Sequence, residues 1–388
     1  MAQVRKASKV NSRINMLIYG ESFSGKSTLG MQLAMLHTKE GRPFRVLVFD
    51  GEQGGVEDML EKLEKEGVNL DNIVIIYSQS LNEWLYYIHK AADHEPLCEL
   101  DEDGNETTNP ILDGDGLPFV ADALLLDGTS VLRLTSEQSL LEMAQRRAKI
   151  KANRNGLTGE EKKLAVEDVV LSPREYGLLN RKGQELVLDL SASNLHWVIT
   201  AREKEEKTSV VINGKDVTVN TGKYVFDSFK NIDYNVKTNV RLFRDKDDPT
   251  LVKMFVLKDR THILPELETV DDPNLLVFQE LIDKSSGEEV TIKNSMNESV
   301  ENDIKLYQKS LGLEEDIPQK QDVPTDNRES VDDIKKQIKN LTKDVGLLQK
   351  KEISEKLKSE GIPTQPKNIT DYATIVRFYQ ICKEVMEA

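Results

Sequence analysis

The chain has 388 residues, 38% of them hydrophobic, with 52 Lys and Arg against 67 Asp and Glu and a formal net charge of −15. That length suits two domains, or one large domain with a tail; the acid excess excludes a uniformly basic coat for duplex DNA and leaves room for a local basic groove. Cys98 and Cys382 stand in no metal-ligand or disulfide spacing, residues 1–15 lack the apolar core of a signal peptide, and no apolar run approaches a membrane span, so the expected location is the cytosol with no membrane partner.

Met16–Tyr19 is a short apolar run that stops at Gly20 and predicts a buried strand. Leu29, Leu33 and Leu36 space a helix over 26–37, and Arg45–Phe49 predicts a second strand that stops at Asp50. An amphipathic helix over 56–66, a strand over 72–77 and a helix over 81–91 follow, the last carrying Trp84 and Tyr87. After a polar excursion over 93–118, Ala123–Leu126 predicts a fourth strand ending at Asp127, and His196–Thr200 a fifth. Between them, 137–190 reads as helical and contains Arg146, Arg147, Lys149, Lys151 and Arg154. Strands alternating with helices imply a parallel sheet with right-handed crossovers, an α/β fold.

Beyond the fifth strand, 209–212 and 217–220 flank Asn213-Gly214, a two-residue hairpin signal. Residues 234–243 and 251–257 alternate apolar and polar side chains and predict an antiparallel extension at the edge of the sheet. Residues 283–330 hold 6 basic and 12 acidic residues and read as an acidic flexible linker with a short helix near 300–311. Residues 331–388 hold 11 basic and 9 acidic residues, with Ile334, Ile338, Leu341, Ile353, Leu357, Ile375, Phe378, Tyr379 and Ile381 at helical spacing. The expected organisation is a main α/β domain over 1–282, the linker, and a small helical module over 331–388.

The string Gly20-Glu21-Ser22-Phe23-Ser24-Gly25-Lys26-Ser27, followed by Thr28, matches G-x-x-x-x-G-K-[ST]. Such a string arises by chance in only about 1–2% of chains of this length, and here it lies between a strand and a helix. Backbone N–H groups wrap a phosphate only where glycines permit close approach and positive φ. The following helix directs its dipole at the anion. Lys26 then serves the β- and γ-phosphates of ATP, and Ser27 offers a hydroxyl to Mg²⁺. Asp127, at a strand end, suits the carboxylate that orders that Mg²⁺. Asp50-Gly51-Glu52 ends a strand whose tip opens onto the same crevice. Glu52 is the first candidate to activate the attacking water, with Asp50 and Glu21 as competitors. Lys258 and Arg260 end what reads as the last strand, where a cation can reach a neighbouring subunit's γ-phosphate. Thr200 is a candidate phosphate or water sensor, and the five histidines form no ligand pattern.

In order, the P-loop, Asp50-Gly51-Glu52, Ile75–Gln79, the strand ending at Asp127, Val198–Lys204 and the strand carrying Lys258 and Arg260 resemble the RecA-like ATPase core. More narrowly they resemble phage-type AAA-family nucleotide-binding proteins, some of which are single-strand annealing recombinases. The resemblance spans about residues 14–265. It implies a water-activating Glu52, a Mg²⁺ carboxylate at Asp127 and inter-subunit cations at Lys258 and Arg260, hence a homo-oligomer with shared ATP sites. It also implies single-stranded DNA contact by loops after the fourth and fifth strands, here Arg146–Arg154 and Arg202–Lys230, in DNA recombination or replication and in the host cytoplasm if phage-encoded. Two departures stand out: Asp127 is followed by Gly128 where the family usually has Ser, and the loop after the fifth strand carries Glu203, Glu205 and Glu206. The alternative is a P-loop switch or loader that recruits a protein partner through 331–388.

Overall fold

A computed structural model describes residues 12–212, 215–285, 300, 303–304, 335, 338–339, 347–359, 362–366 and 372–387. The chain divides into two compact units, Met1–Ser310 and Leu311–Ala388. In chain order the first unit contains β1 (Asn15–Gly20), α1 (Lys26–Met31), β2 (Val46–Asp50), α2 (Glu57–Lys65), β3 (Ile73–Tyr77), α3 (Leu81–Ala92), β4 (Cys98–Leu100), β5 (Glu106–Pro110) and β6 (Ala123–Asp127). It continues with α4 (Thr129–Arg154), α5 (Gly159–Glu167), α6 (Pro173–Ala192), β7 (His196–Ile212), β8 (Lys215–Asp227), α7 (Ile232–Asn235), β9 (Thr238–Arg244), β10 (Val252–Asp259), β11 (Thr269–Asp271) and α8 (Gln279–Asp283).

The main sheet runs β11-β10-β9-β1-β7-β6-β2-β3, with β8 paired to β7 off this path. The strands from β9 to β3 are parallel, and β10 and β11 are antiparallel at the edge. This is the α/β arrangement expected, a mostly parallel sheet with antiparallel strands at one edge, and β9 itself is parallel to β1. Both faces are covered, so the strands read as continuous apolar runs rather than alternating ones. Leu17, Phe49, Leu126, Trp197 and Ile199 pack on one face with Trp84 of α3 and Leu186 of α6. Met16, Ile18, Val48, Leu125 and Val198 pack on the other with Leu29 and Met31 of α1, Leu63 of α2 and Val56 just before it.

Several elements differ from the sequence-based expectation. The helix after the P-loop ends at Met31, and Gln32–Met35 tightens into a 3₁₀ turn, after which Phe44 N–H donates to Leu36 O to bring the chain back toward β2. The polar excursion forms its own two-stranded sheet, β4 with β5. Strand β7 is longer than His196–Thr200: Arg202 and the residues beyond it pair with β8 as an exposed ribbon. The predicted turn residues, Asn213 and Gly214, lie outside the described residues. β10 is not the last strand, because β11 folds back on it.

In the second unit the described helices are α9 (Leu347–Ser359) and α10 (Tyr372–Glu387). Ile353 and Leu357 pack with Ile375, Phe378, Ile381, Cys382 and Val385, and Ile338 joins them. Ile334, Leu341 and nearly all of the acidic segment lie outside the described residues. No helix among the described residues is long and apolar enough to cross a membrane.

Gly183 on α6 faces Phe229, and an added Cβ would lie 2.3 Å from the ring. Overpacking a buried helix contact costs about 1–3 kcal/mol. Gly183→Ala therefore lowers the denaturant midpoint of unfolding by that equivalent; an unchanged midpoint refutes the packing described for α6.

Candidate functional site

The P-loop leaves the fully buried β1 at Gly20, where an added Cβ would sit 2.0 Å from Leu242 O on β9. Only glycine permits that approach. Gly25 caps α1 with φ 83°, the left-handed geometry glycine adopts without cost. Lys26 Nζ donates to Gly20 O at 3.2 Å and Glu21 O at 2.6 Å, both inside the loop. Burial lowers its pKa, opposed by the charges of Glu52, Asp127 and Glu203. Ser22 and Phe23 are exposed at the loop tip, Phe23 at 87%. Ser24 is buried and donates to Glu21 O at 2.9 Å.

Parallel register carries the strand ends to one edge. Gly20 of β1 lies beside Arg202 of β7, Leu126 of β6 beside Ile199, and Asp50 of β2 beside Asp127. Strand β7 thus separates the P-loop strand from the Asp127 strand. Ser27 Oγ donates to Asp127 Oδ2 at 2.8 Å across 100 residues of sequence, and Thr200 Oγ1 donates to Asp127 Oδ1. Asp127 is 2% exposed, and burial pushes its carboxyl above the usual range despite both hydroxyls. Among the described residues it has no ion-pair partner; a buried carboxylate with only neutral partners, touching the P-loop hydroxyl, is a donor set that fits a hydrated divalent cation.

The competing carboxylates separate by geometry. Asp50 is buried and accepts from Glu52 N–H at 3.0 Å, Gln53 N–H at 2.8 Å and Gly54 N–H at 2.7 Å, so it builds the turn that presents Glu52. Glu21 accepts Arg244 N–H at 2.7 Å. Glu52 accepts from Arg202 Nε at 2.9 Å, with the two side chains 36% and 56% exposed. Gly128, φ 86°, explains the departure after Asp127: an added Cβ would lie 2.6 Å from Glu52 Cγ.

Lys258 and Arg260 are not brought to this edge. Lys258 pairs with Asn239 near the beginning of β9, the end of the sheet opposite the P-loop. Its Nζ donates to Asp233 O at 2.8 Å, and burial lowers its pKa. Arg260 is exposed there, its N–H bonded to Lys237 O at 3.0 Å. The implied DNA loops are not loops either. Arg146–Arg154 forms the last turns of α4, and Arg202–Lys230 is mostly the ribbon.

Three site residues escaped sequence reasoning: Arg202, Gly128 as a contact of Glu52, and Arg244. Arg244 donates from Nε and Nη2 to Phe23 O at 3.0 and 2.7 Å, clamping the loop tip to β9. The arginine beyond Val198-Ile199-Thr200-Ala201 was a signal for Arg202, since a strand end in a parallel sheet opens on the site.

No family model and no curated protein sequence matches the chain. One solved structure that matches is a KaiC-like protein from the hyperthermophilic archaeon Pyrococcus horikoshii, 13% identical, with a TM-score of 0.32, covering 68% of this chain and 93% of that one.

Arg244→Ala should free the loop tip while β9 stays paired. Amide hydrogen exchange over Glu21–Gly25 then rises severalfold, read by mass spectrometry; unchanged exchange there refutes the clamp.

Proposed function

We propose that the chain is a RecA-like P-loop ATPase, hydrolysing ATP at the crevice bounded by Gly20–Thr28, Asp127 and Glu52. The observation that carries this reading is the Ser27–Asp127 hydrogen bond, because it joins the loop hydroxyl and the strand-end carboxylate that a Mg²⁺–nucleotide site requires. Lys26 exchanges its two intraloop carbonyls for the β- and γ-phosphates, and the loop N–H groups and the start of α1 cradle the chain of phosphates. Ser27, and Asp127 through water, would hold Mg²⁺, which supplies charge neutralisation on the phosphate oxygens.

Glu52 takes a proton from water as the water oxygen bonds to the γ-phosphorus. The bond from that phosphorus to the β–γ bridging oxygen breaks, leaving ADP and phosphate. Asp50 keeps Glu52 at the mouth of the site through the three N–H groups it binds.

A DNA-dependent form of this activity, in recombination or replication, is the finer proposal. Its support is the exposed Arg146, Arg147, Lys149, Lys151 and Arg154 on α4, with Arg147 also paired to Glu175. The ribbon supports it less, carrying four lysines against five carboxylates over 203–227. Assembly into a homo-oligomer would give Arg260 a neighbour's γ-phosphate to meet. The loader alternative draws on the separate compact unit at the C-terminal end, a tethered docking element for a protein partner.

Two measurements test these readings. Lys26→Ala should abolish Mg-ATP binding in calorimetry, whereas Glu52→Gln should keep binding and lose turnover by on the order of 100-fold or more. Full turnover in Glu52→Gln removes the assigned base. ATP hydrolysis should rise on adding single-stranded DNA, more at low than at high salt; a flat rate removes the DNA proposal and leaves the ATPase.

A further inference from the structure

Arg202 follows the buried part of β7 at the edge that carries the P-loop. It pairs in register with Gly20, the first P-loop residue, and adjacent strands lie about 4.8 Å apart. The two-residue period of β7 puts Val198, Thr200 and Arg202 on one face; Val198 packs with Leu29 and Met31 of α1, and Thr200 bonds Asp127. Arg202 therefore leaves the sheet on the P-loop face, at the same edge as Glu52. Its charge is felt at the Lys26 ammonium, where it opposes protonation.

The hydrogen bond to Glu52 uses Nε alone, and neither terminal nitrogen bonds another described residue. A guanidinium carries a fork of five donors suited to phosphate. An ion pair this exposed is weak and exchanges readily. The backbone beneath is fixed: Arg202 N–H donates to Ser130 Oγ at 2.7 Å, and Ser130 Oγ donates to Asp227 O, which staples the root of the ribbon to the first turn of α4.

Resting on the ATPase reading, we propose that Arg202 is a γ-phosphate ligand supplied by the same subunit, and that it exchanges Glu52 for the γ-phosphate when ATP binds. One side chain then does two things. It stabilises charge on the transferring phosphoryl group, and by leaving Glu52 it frees that carboxylate to accept the proton of the attacking water. With ADP bound there is no γ-phosphate to compete, and Arg202 returns to Glu52.

The test compares the full chain with Arg202→Ala, Arg202→Lys and Glu52→Gln, measuring Mg-ATPγS and Mg-ADP affinities and the ATP turnover rate. Arg202→Ala should weaken ATPγS at least tenfold, hold ADP within twofold, and lower turnover by on the order of 100-fold. Arg202→Lys should fall between, because it keeps the charge and loses the fork. Glu52→Gln should keep the preference for ATPγS over ADP while losing turnover. Unaltered ADP affinity doubles as the control for folding. If Arg202 only holds Glu52, Arg202→Ala leaves the ATPγS-to-ADP ratio unchanged or raises turnover, and either result overturns the proposal while the ATPase reading stands. A wild-type chain that binds neither nucleotide overturns both.

Discussion

Asp127 is a buried carboxylate held by two hydroxyls, Ser27 from the P-loop and Thr200 from β7. Burying that charge is unfavourable unless its oxygens are bonded, so three segments must arrive together at one point. They do so because β1, β7 and β6 are parallel neighbours whose C-terminal ends share an edge. Move β7 elsewhere, and Asp127 loses the Thr200 hydroxyl it holds beside that of Ser27. The meeting of these strand ends is therefore the condition on which the site depends.

Close backbone approach does the rest. Gly20 lies against Leu242 O, Gly51 against Asp127 O, and Gly128 against the Glu52 side chain. Each position admits no larger residue without displacement, and each sits at a strand end that frames the crevice. Asp50 complements them: its oxygens satisfy three consecutive N–H groups that would otherwise be left open in the turn below Glu52. Hydrogen bonds and close contacts at these glycines together frame the crevice.

The ribbon and the C-terminal helices have a different character. The outer part of β7 pairs only with β8, and most of its side chains are exposed. Its root is anchored by several contacts: Glu203 binds Arg241 at 2.7 and 3.1 Å, Arg241 lies 4.4 Å over the Tyr224 ring, and Lys204 pairs with Asp227 at 2.7 Å. The helices α9 and α10 build a separate core of their own, in which Cys382 is buried and its thiol pushed up to about 11.

The P-loop string, the strands ending at Asp50 and Asp127, and the parallel α/β class could all be read from the chain, because glycine placement, turn chemistry and hydrophobic period are local signals confined to a few residues. The Asn213-Gly214 sequence signal announced a hairpin but not the length of its strands, since pairing beyond Thr200 needs a partner strand whose reach no local pattern states. Competition among Glu21, Asp50 and Glu52 was open at that level, for all three are acidic residues near strand ends. Tertiary structure alone gave them different partners: Arg244 N–H for Glu21, three turn N–H groups for Asp50 and the exposed Arg202 for Glu52. It alone also carried Lys258 and Arg260 to the far end of β10, because the direction of an edge strand is set by its neighbour and not by its own residues.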